Sequence, residues 1–390
     1  MKVYPIYSIN KTIVMGCILF ISLITANNVI SQEIEVPSSF NPVGSGARAI
    51  GMGGAFIGIA DDATAASWNP GGLIQMHKAQ ASFVISHFHR NEDIEFGIHP
   101  ESSGDHNVSE YHVNYFSLTL PFEWMERNMI VSISYQQLYD FYREWNFSKH
   151  DENSLLISDR NYSYIQDGLL SAIGLSYCIQ VSPRFSFGVT YNIWKDDLTP
   201  NSWSQRYKMN GTVTFPLFDE TETEQSDVVE DFSFSGVNAN IGFLWEITNQ
   251  LSLGGVFKTP FNGDLAHKES RTFISPSNPH DEKIESEDSL KLPLSYGLGI
   301  VYRFSPIFAI SADIYRTNWN DYKHTLESGI VKSPVSGLAI NESQVDPTYQ
   351  VRLGTEYRII NESQKNIIFF RGGVFYDPAP AEKALMIFLD

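Results

Sequence analysis

Cysteine is nearly missing from this 390-residue chain, which holds only Cys17 and Cys178. Cys17 lies in a segment expected to be removed, so the mature chain keeps one thiol. An internal disulfide and a cysteine-built zinc site are both excluded. Positive charge is scarce too. Lys and Arg number 27 against 45 Asp and Glu, a formal net charge of −18. That acidic balance argues against nucleic acid as a partner, because phosphate binding needs a basic face. Charged residues of either sign make up only 18%. Long hydrophobic runs are absent beyond one near the N-terminus, and the mean hydropathy of −0.17 is not that of a helical membrane protein. A Gly-x-Ser-x-Gly nucleophile elbow is also missing, and no enzyme is expected.

The one apolar run is "TIVMGCILFISLITA", residues 12 to 26, preceded by Lys2 and Lys11. It falls short of the roughly 20 residues of a comfortable membrane helix. Val29-Ile30-Ser31 follows with small residues at cleavage positions, so residues 1–31 read as a signal peptide, with an N-terminal anchor helix as the alternative.

What the chain does have is 13% aromatic residues and a pervasive period of two. In "LPLSYGLGIVYRF", Leu294, Tyr296, Leu298, Ile300, Tyr302 and Phe304 share one face and Gly297, Gly299, Val301 and Arg303 the other. In "RFSFGVTYNIW", Phe185, Phe187, Val189, Tyr191 and Ile193 oppose Ser186, Gly188, Thr190 and Asn192. "GVNANIGFLWEI" and "IFAISADIY" repeat the pattern. A soluble sandwich would turn the apolar face into a core; a membrane barrel would turn it into lipid and leave Gly, Ser, Asn and charges in the lumen. Segments of about 10 residues suit a tilted bilayer crossing. Aromatics such as Tyr302, Phe304, Trp194, Trp245 and Tyr357 sit near segment ends, as interfacial girdles do. "QVSPRF", "EITNQL" and "RFSPIF" read as tight turns, whereas 196–230, 260–290 and 316–346 read as long polar loops. These features favour an all-β transmembrane antiparallel β-barrel, which must close because lipid cannot hydrogen-bond an open edge.

Residues 46–73, "GARAIGMGGAFIGIADDATAASWNPGGL", fit neither helix nor strand. A wide lumen cannot be filled by wall side chains alone. A plug inside it must bring backbone close to the wall, which glycine permits. "ADDATAA" can open a short helical turn with Asp61 or Asp62 as its cap. "WNPGGL" ends it, because Pro70 biases Asn69 away from helix and Gly71-Gly72 supplies a turn.

This stretch resembles the N-terminal hatch of the FadL/TodX-type outer-membrane transport family, the long-chain fatty-acid and hydrocarbon channels. The family's Ala-rich "ADD" and its Asn-Pro-Ala find counterparts here, with Asn69-Pro70-Gly71 as a departure in the last position. "KLPLSYGLGIVYRF", "YQVRLGTEYRI" and "FFRGGVFYDPAPA" are similar to later segments of the family. PorV-like relatives share a Gly-rich, Asn-Pro hatch. The resemblance implies a barrel of about 14 strands, with a hatch over 32–78 and the barrel over 79–390. Family members continue past the Asp-Pro-Ala-Pro segment, so the barrel is expected to be C-terminally incomplete at "EKALMIFLD".

The function so implied is passive uptake of hydrophobic small molecules, fatty acids or aromatic hydrocarbons, gated by hatch movement. The alternative is a PorV-like barrel that binds protein in secretion or surface attachment. The implied setting is the bacterial outer membrane, with its lipid, lipopolysaccharide and barrel assembly machinery as partners. Ligand or gating candidates are Arg48, Phe56, Asp61, Asp62, Trp68, Asn69, Pro70, Arg303 and Arg352. For Arg48 the competing role is pairing with Asp61 or Asp62. For Arg303, Arg352 and Arg358 it is balancing lumen acids such as Asp313 and Glu356. For Phe56 and Trp68 it is packing against the wall. His87 and His89 share a strand face but have no Cys or fixed carboxylate partner, and no metal or cofactor is expected. The acidic runs lack the spaced ligands of a calcium loop and read as solvated surface.

Overall fold

The alternating segments become one antiparallel sheet in a computed structural model that describes residues 44–380 apart from 95–98, 275–278 and 362–365. The expected signal peptide, the first residues of the expected hatch and the C-terminal 381–390 lie outside the described residues. The strands begin with β1 (Gln80–Ile94), β2 (Gly104–Trp124), β3 (Arg127–Asp140), β4 (Arg143–Glu152), β5 (Ile157–Ser182) and β6 (Phe185–Lys195). They continue with β7 (Asn201–Phe215), β8 (Glu220–Glu246), β9 (Leu251–Lys258), β10 (Phe261–Ile274), β11 (His280–Leu292) and β12 (Ser295–Ser305). The last are β13 (Phe308–Thr317), the short β14 (Lys323–Thr325) and β15 (Val331–Lys332), then β16 (Thr348–Asn361) and β17 (Asn366–Tyr376).

Several of these are pieces of one path. β3 and β4 both pair with β5, and β6 and β7 both lie between β5 and β8. β9 and β10 both follow β8; β12 and β11 then pair with them in turn, and β13 and β14 with those. β16 pairs with β13 and β17 with β16, while β1 pairs with β2 and β2 with β3. The described ladder therefore runs as an antiparallel meander from β1 to β17. The interruptions fall beside one another across the sheet: Phe141, Trp194, Phe261, Leu292 and Trp319, which flank them, meet in a single apolar cluster.

The two faces separate as the period of two requires. Tyr296, Leu298, Ile300 and Tyr302 of β12 are exposed, and Ser295, Gly297, Gly299 and Val301 turn inward. On β6, Ser186, Gly188, Thr190 and Asn192 are buried. In a bilayer the exposed aliphatic and aromatic face meets hydrocarbon.

Two expectations need correction. Residues 196–230 and 260–290 are largely strand rather than loop: the acidic run enters β8 at Glu220, and β10 and β11 form a long hairpin. Cross-strand polar pairs sustain these extensions, among them Thr214 with Thr221 at 3.0 Å and Arg160 Nε with Glu224 at 2.6 Å. The start of β8 and most of β11 are polar on both faces, so the pattern that reveals membrane strands is silent there, whereas β7 keeps it. Residues 316–346 are mostly irregular, as expected. Trp194 is not a girdle residue. It is buried on the inner face with Asn192, whose parity it shares.

Candidate functional site

Residues 44–76 lie against the inner face of the sheet as a chain of short turns. Ala47–Gly51 makes one helical turn and Ala65–Trp68 another. Between them Asp62 Oδ1 accepts from the Thr64 amide and hydroxyl at 2.9 and 2.6 Å, a local turn that precedes the helix rather than capping it. Asn69 is extended, and Pro70 opens a 3-10 turn over Pro70–Gln75.

Directional bonds seat this segment on strands from across the ladder. Asp313 of β13 accepts the Phe56 and Ile57 amides at 2.7 and 2.8 Å. Asn69 donates to the carbonyls of Ile57 and of Phe243 on β8, both at 2.9 Å, and its oxygen accepts the Gly71 amide. Thr190 of β6 donates to the Ala66 carbonyl at 2.8 Å, Ser186 to the Gly71 carbonyl at 2.7 Å, and Tyr115 of β2 to the Ala63 carbonyl at 2.7 Å. Asn114 accepts the Gly46 amide at 3.0 Å. Glycine is what permits this approach. A Cβ on Gly58 would stand 2.8 Å from the carbonyl carbon of Gly299 on β12, so backbone lies directly on backbone.

The charged candidates converge at one edge of the segment. Arg48 bonds Asp61, comes within 3.9 Å of Asp62, and reaches Glu356 of β16 with Nε at 2.9 Å. Glu356 also receives Arg358 Nη2 and Arg371 Nε, each at 2.8 Å. Burial works against the Arg48 charge, but Asp61 and Glu356 outweigh it and hold the guanidinium above its ordinary pKa.

The aromatic candidates form a second group. Phe56 meets Trp68 edge to face at 6.1 Å, and the Arg352 guanidinium stacks over Trp68 at 5.5 Å and Tyr315 at 5.4 Å. Arg303 donates to Ser252 at 3.0 Å. His87 stacks on Tyr111, and His89 bonds Ser109.

A larger apolar feature went unread in the sequence. The inner face of β3 through β14 carries a cluster that includes Leu138, Phe141, Trp194, Trp203, Phe232 and Trp319, all buried. Within it four rings form a continuous stack. Phe141 lies 4.5 Å from Trp203 at 5° between planes, Trp203 4.9 Å from Phe232 at 14°, and Phe232 4.4 Å from His267 at 6°. Register explains the stack: Trp203, Phe232 and His267 stand directly opposite one another on β7, β8 and β10. Gly168 of β5 is the rung between Phe141 and Trp203. It has φ +140°, and a Cβ there would stand 2.4 Å from the Trp203 Cα, so its bareness lets the two rings meet. Strand pairing brings residues 141, 203, 232 and 267 together, which no local sequence pattern announces.

No helix among the described residues is long and apolar enough to cross a membrane. Residues 166–387 match the family model described as outer membrane protein transport protein (OMPP1/FadL/TodX). No curated protein shows significant sequence similarity to the chain. Among solved structures, a TodX deltaS2S3 mutant monoaromatic hydrocarbon channel shares the fold at TM-score 0.53 and 15% identity, over 88% of this chain and 85% of that one. The toluene transporter TbuX of Ralstonia pickettii aligns at TM-score 0.48 and 12% identity, covering 87% of each chain. The toluene transporter TodX of Pseudomonas putida aligns at TM-score 0.47 and 14% identity, covering 89% of this chain and 85% of that one. With more than half its length matched by the family model and its strands in an antiparallel membrane barrel, the chain belongs to the OMPP1/FadL/TodX family of outer-membrane transport proteins.

Proposed function

We propose that the protein takes up hydrophobic small molecules, aromatic hydrocarbons in particular, across the outer membrane, and that residues 44–76 act as the hatch that gates their passage. The single observation that carries this reading is the four-ring stack Phe141–Trp203–Phe232–His267, set among buried apolar side chains on the inner face. A flat apolar ligand gains from such a surface through area, at about 25 cal/mol per Å² removed from water, and through offset stacking worth about 1 kcal/mol per ring pair. The solved structure named as a monoaromatic hydrocarbon channel supports an aromatic ligand. Family membership favours this reading over a PorV-like protein-binding role.

Gating would act through the directional contacts of the hatch. Arg48, Asp61 and Glu356 form one latch, and the Asp313 carboxylate under Phe56 and Ile57 forms another. Asn69 and Pro70 fix the far end against β6 and β8. Phe56, Trp68 and Arg352 lie between these anchors. The reading is tested by uptake of labelled toluene and labelled oleate into outer-membrane-bearing cells that lack their own channel and express this chain. Faster uptake than in cells with an empty vector supports it, and toluene ahead of oleate supports the aromatic preference. Equal rates with and without the chain, at confirmed membrane insertion, reject it.

A further inference from the structure

The rung next to the ring stack is polar, buried and incompletely satisfied. Gln166, Gln205, Glu230 and Glu269 stand directly opposite one another in sequence across β5, β7, β8 and β10. All four are buried, with Glu230 only 3% exposed. Two carboxylates facing each other on adjacent strands repel, and burial sharpens the cost. Arg271 bonds both oxygens of Glu269 and so answers one of them. Glu230 has no such partner. Its Oε1 lies 3.3 Å from His267 Nε2, yet neither atom makes a hydrogen bond, and both amide atoms of Gln166 and of Gln205 are likewise without partners.

Asp288 and His324 close on each other at 2.7 Å, and Arg271 is held by Glu269. One ligand atom each from Glu230, His267 and Glu269 lies within 4.8 Å of the others. An imidazole nitrogen with two carboxylates, and amide oxygens alongside, is a donor set for a divalent transition metal. His267 and Glu269 sit two apart on β10 and so share a face. The His267 ring stacks on Phe232 at 4.4 Å and 6° between planes, which limits its rotation.

We propose that Glu230, His267 and Glu269 form a divalent-cation site on the inner face of β8 and β10, at the end of the aromatic stack. The cation replaces the missing partner of Glu230 and offsets the repulsion between the facing carboxylates. This inference is independent of the transported ligand, because it concerns cation binding by the unliganded barrel.

The test is calorimetric titration of the metal-stripped, detergent-solubilised full chain with zinc ion. The expected result is saturable binding of one equivalent. His267→Phe keeps the stack on Phe232 but removes the nitrogen, and it is expected to weaken binding by about tenfold or more. Glu230→Gln keeps the shape and removes the charge, with a similar loss expected. His87→Ala is the control and is expected to bind zinc as the native chain does. Heat-modifiable gel migration of each variant shows whether the barrel is intact, so a folding failure is told from a lost ligand. No saturable binding by the native chain overturns the proposal, as does unchanged affinity in intact His267→Phe and Glu230→Gln.

Discussion

The N-terminal segment and the aromatic cluster occupy the same enclosed face but are held there by different physics. Beyond the apolar packing of Met52, Phe56 and Leu73 with Ile130 and Val301, residues 44–76 are seated by single directional contacts: two amides on Asp313, two carbonyls on Asn69, and one charge network on Glu356. The cluster of Phe141, Trp203 and Phe232 is held by area and stacking, with no bond that decides its geometry alone. Directional contacts can be released one at a time and re-formed, which suits a gate. Area-based contacts accept ligands of many outlines, which suits a binding surface. Substitutions in one region should therefore leave the other region's property intact.

The largest expected effect is at Asp313. Replacing it with Leu strands two buried amides, and hydrogen bonds to a charged acceptor are each worth about 1.5–3 kcal/mol. Asp313→Leu is expected to loosen the segment, raising ion conductance in planar bilayers, while toluene affinity changes by less than about threefold. Matched losses in both readouts would dissolve the distinction between the two regions.

A smaller effect of the same kind is expected at Gly58. The Cβ of Gly58→Ala meets the Gly299 backbone, which cannot swing aside as a side-chain tip can. A destabilisation of about 1–3 kcal/mol follows from such overpacking, read as a lower temperature of heat-modifiable unfolding. An unchanged temperature would mean that the segment does not rest on β12.

On the cluster side, Trp203→Ala removes two of the three stacking contacts at once. Toluene binding is expected to weaken by about tenfold, with conductance unchanged. The smallest effect is expected at the exposed Arg206–Asp227 pair of the β7–β8 hairpin, which touches neither region. Arg206→Ala is expected to change unfolding by less than about 1 kcal/mol and to leave binding and conductance alone.

The sequence was legible wherever a local physical rule acted alone. Strands such as β6 and β12 showed their faces because lipid on one side and lumen on the other impose strict alternation. The segment at 46–73 was conspicuous because close approach demands glycine, and Gly58 over Gly299 is that demand met. Legibility failed where the environment lost its asymmetry. The start of β8 and most of β11 read as loops because polar side chains serve on both of their faces, whereas β7 keeps the period of two, with Trp203, Tyr207, Met209 and Val213 on one face. It failed again where neighbours come from register. His267 lies 64 residues from Trp203 in the numbering, and only the pairing of β7, β8 and β10 stacks the rings they carry. Trp194 is legible by its parity: its even position alongside Ser186 and Asn192 places it inside.

The central claim is that the stacked rings are the surface that takes an apolar guest. Equilibrium binding of tritiated toluene to the purified full chain in detergent, compared with an intact Trp203→Ala and Phe232→Ala double variant, tests it most directly. Saturable binding that weakens by about tenfold or more in the variant is the expected result. Binding that fails to saturate, or an affinity equal in the two proteins, would contradict it.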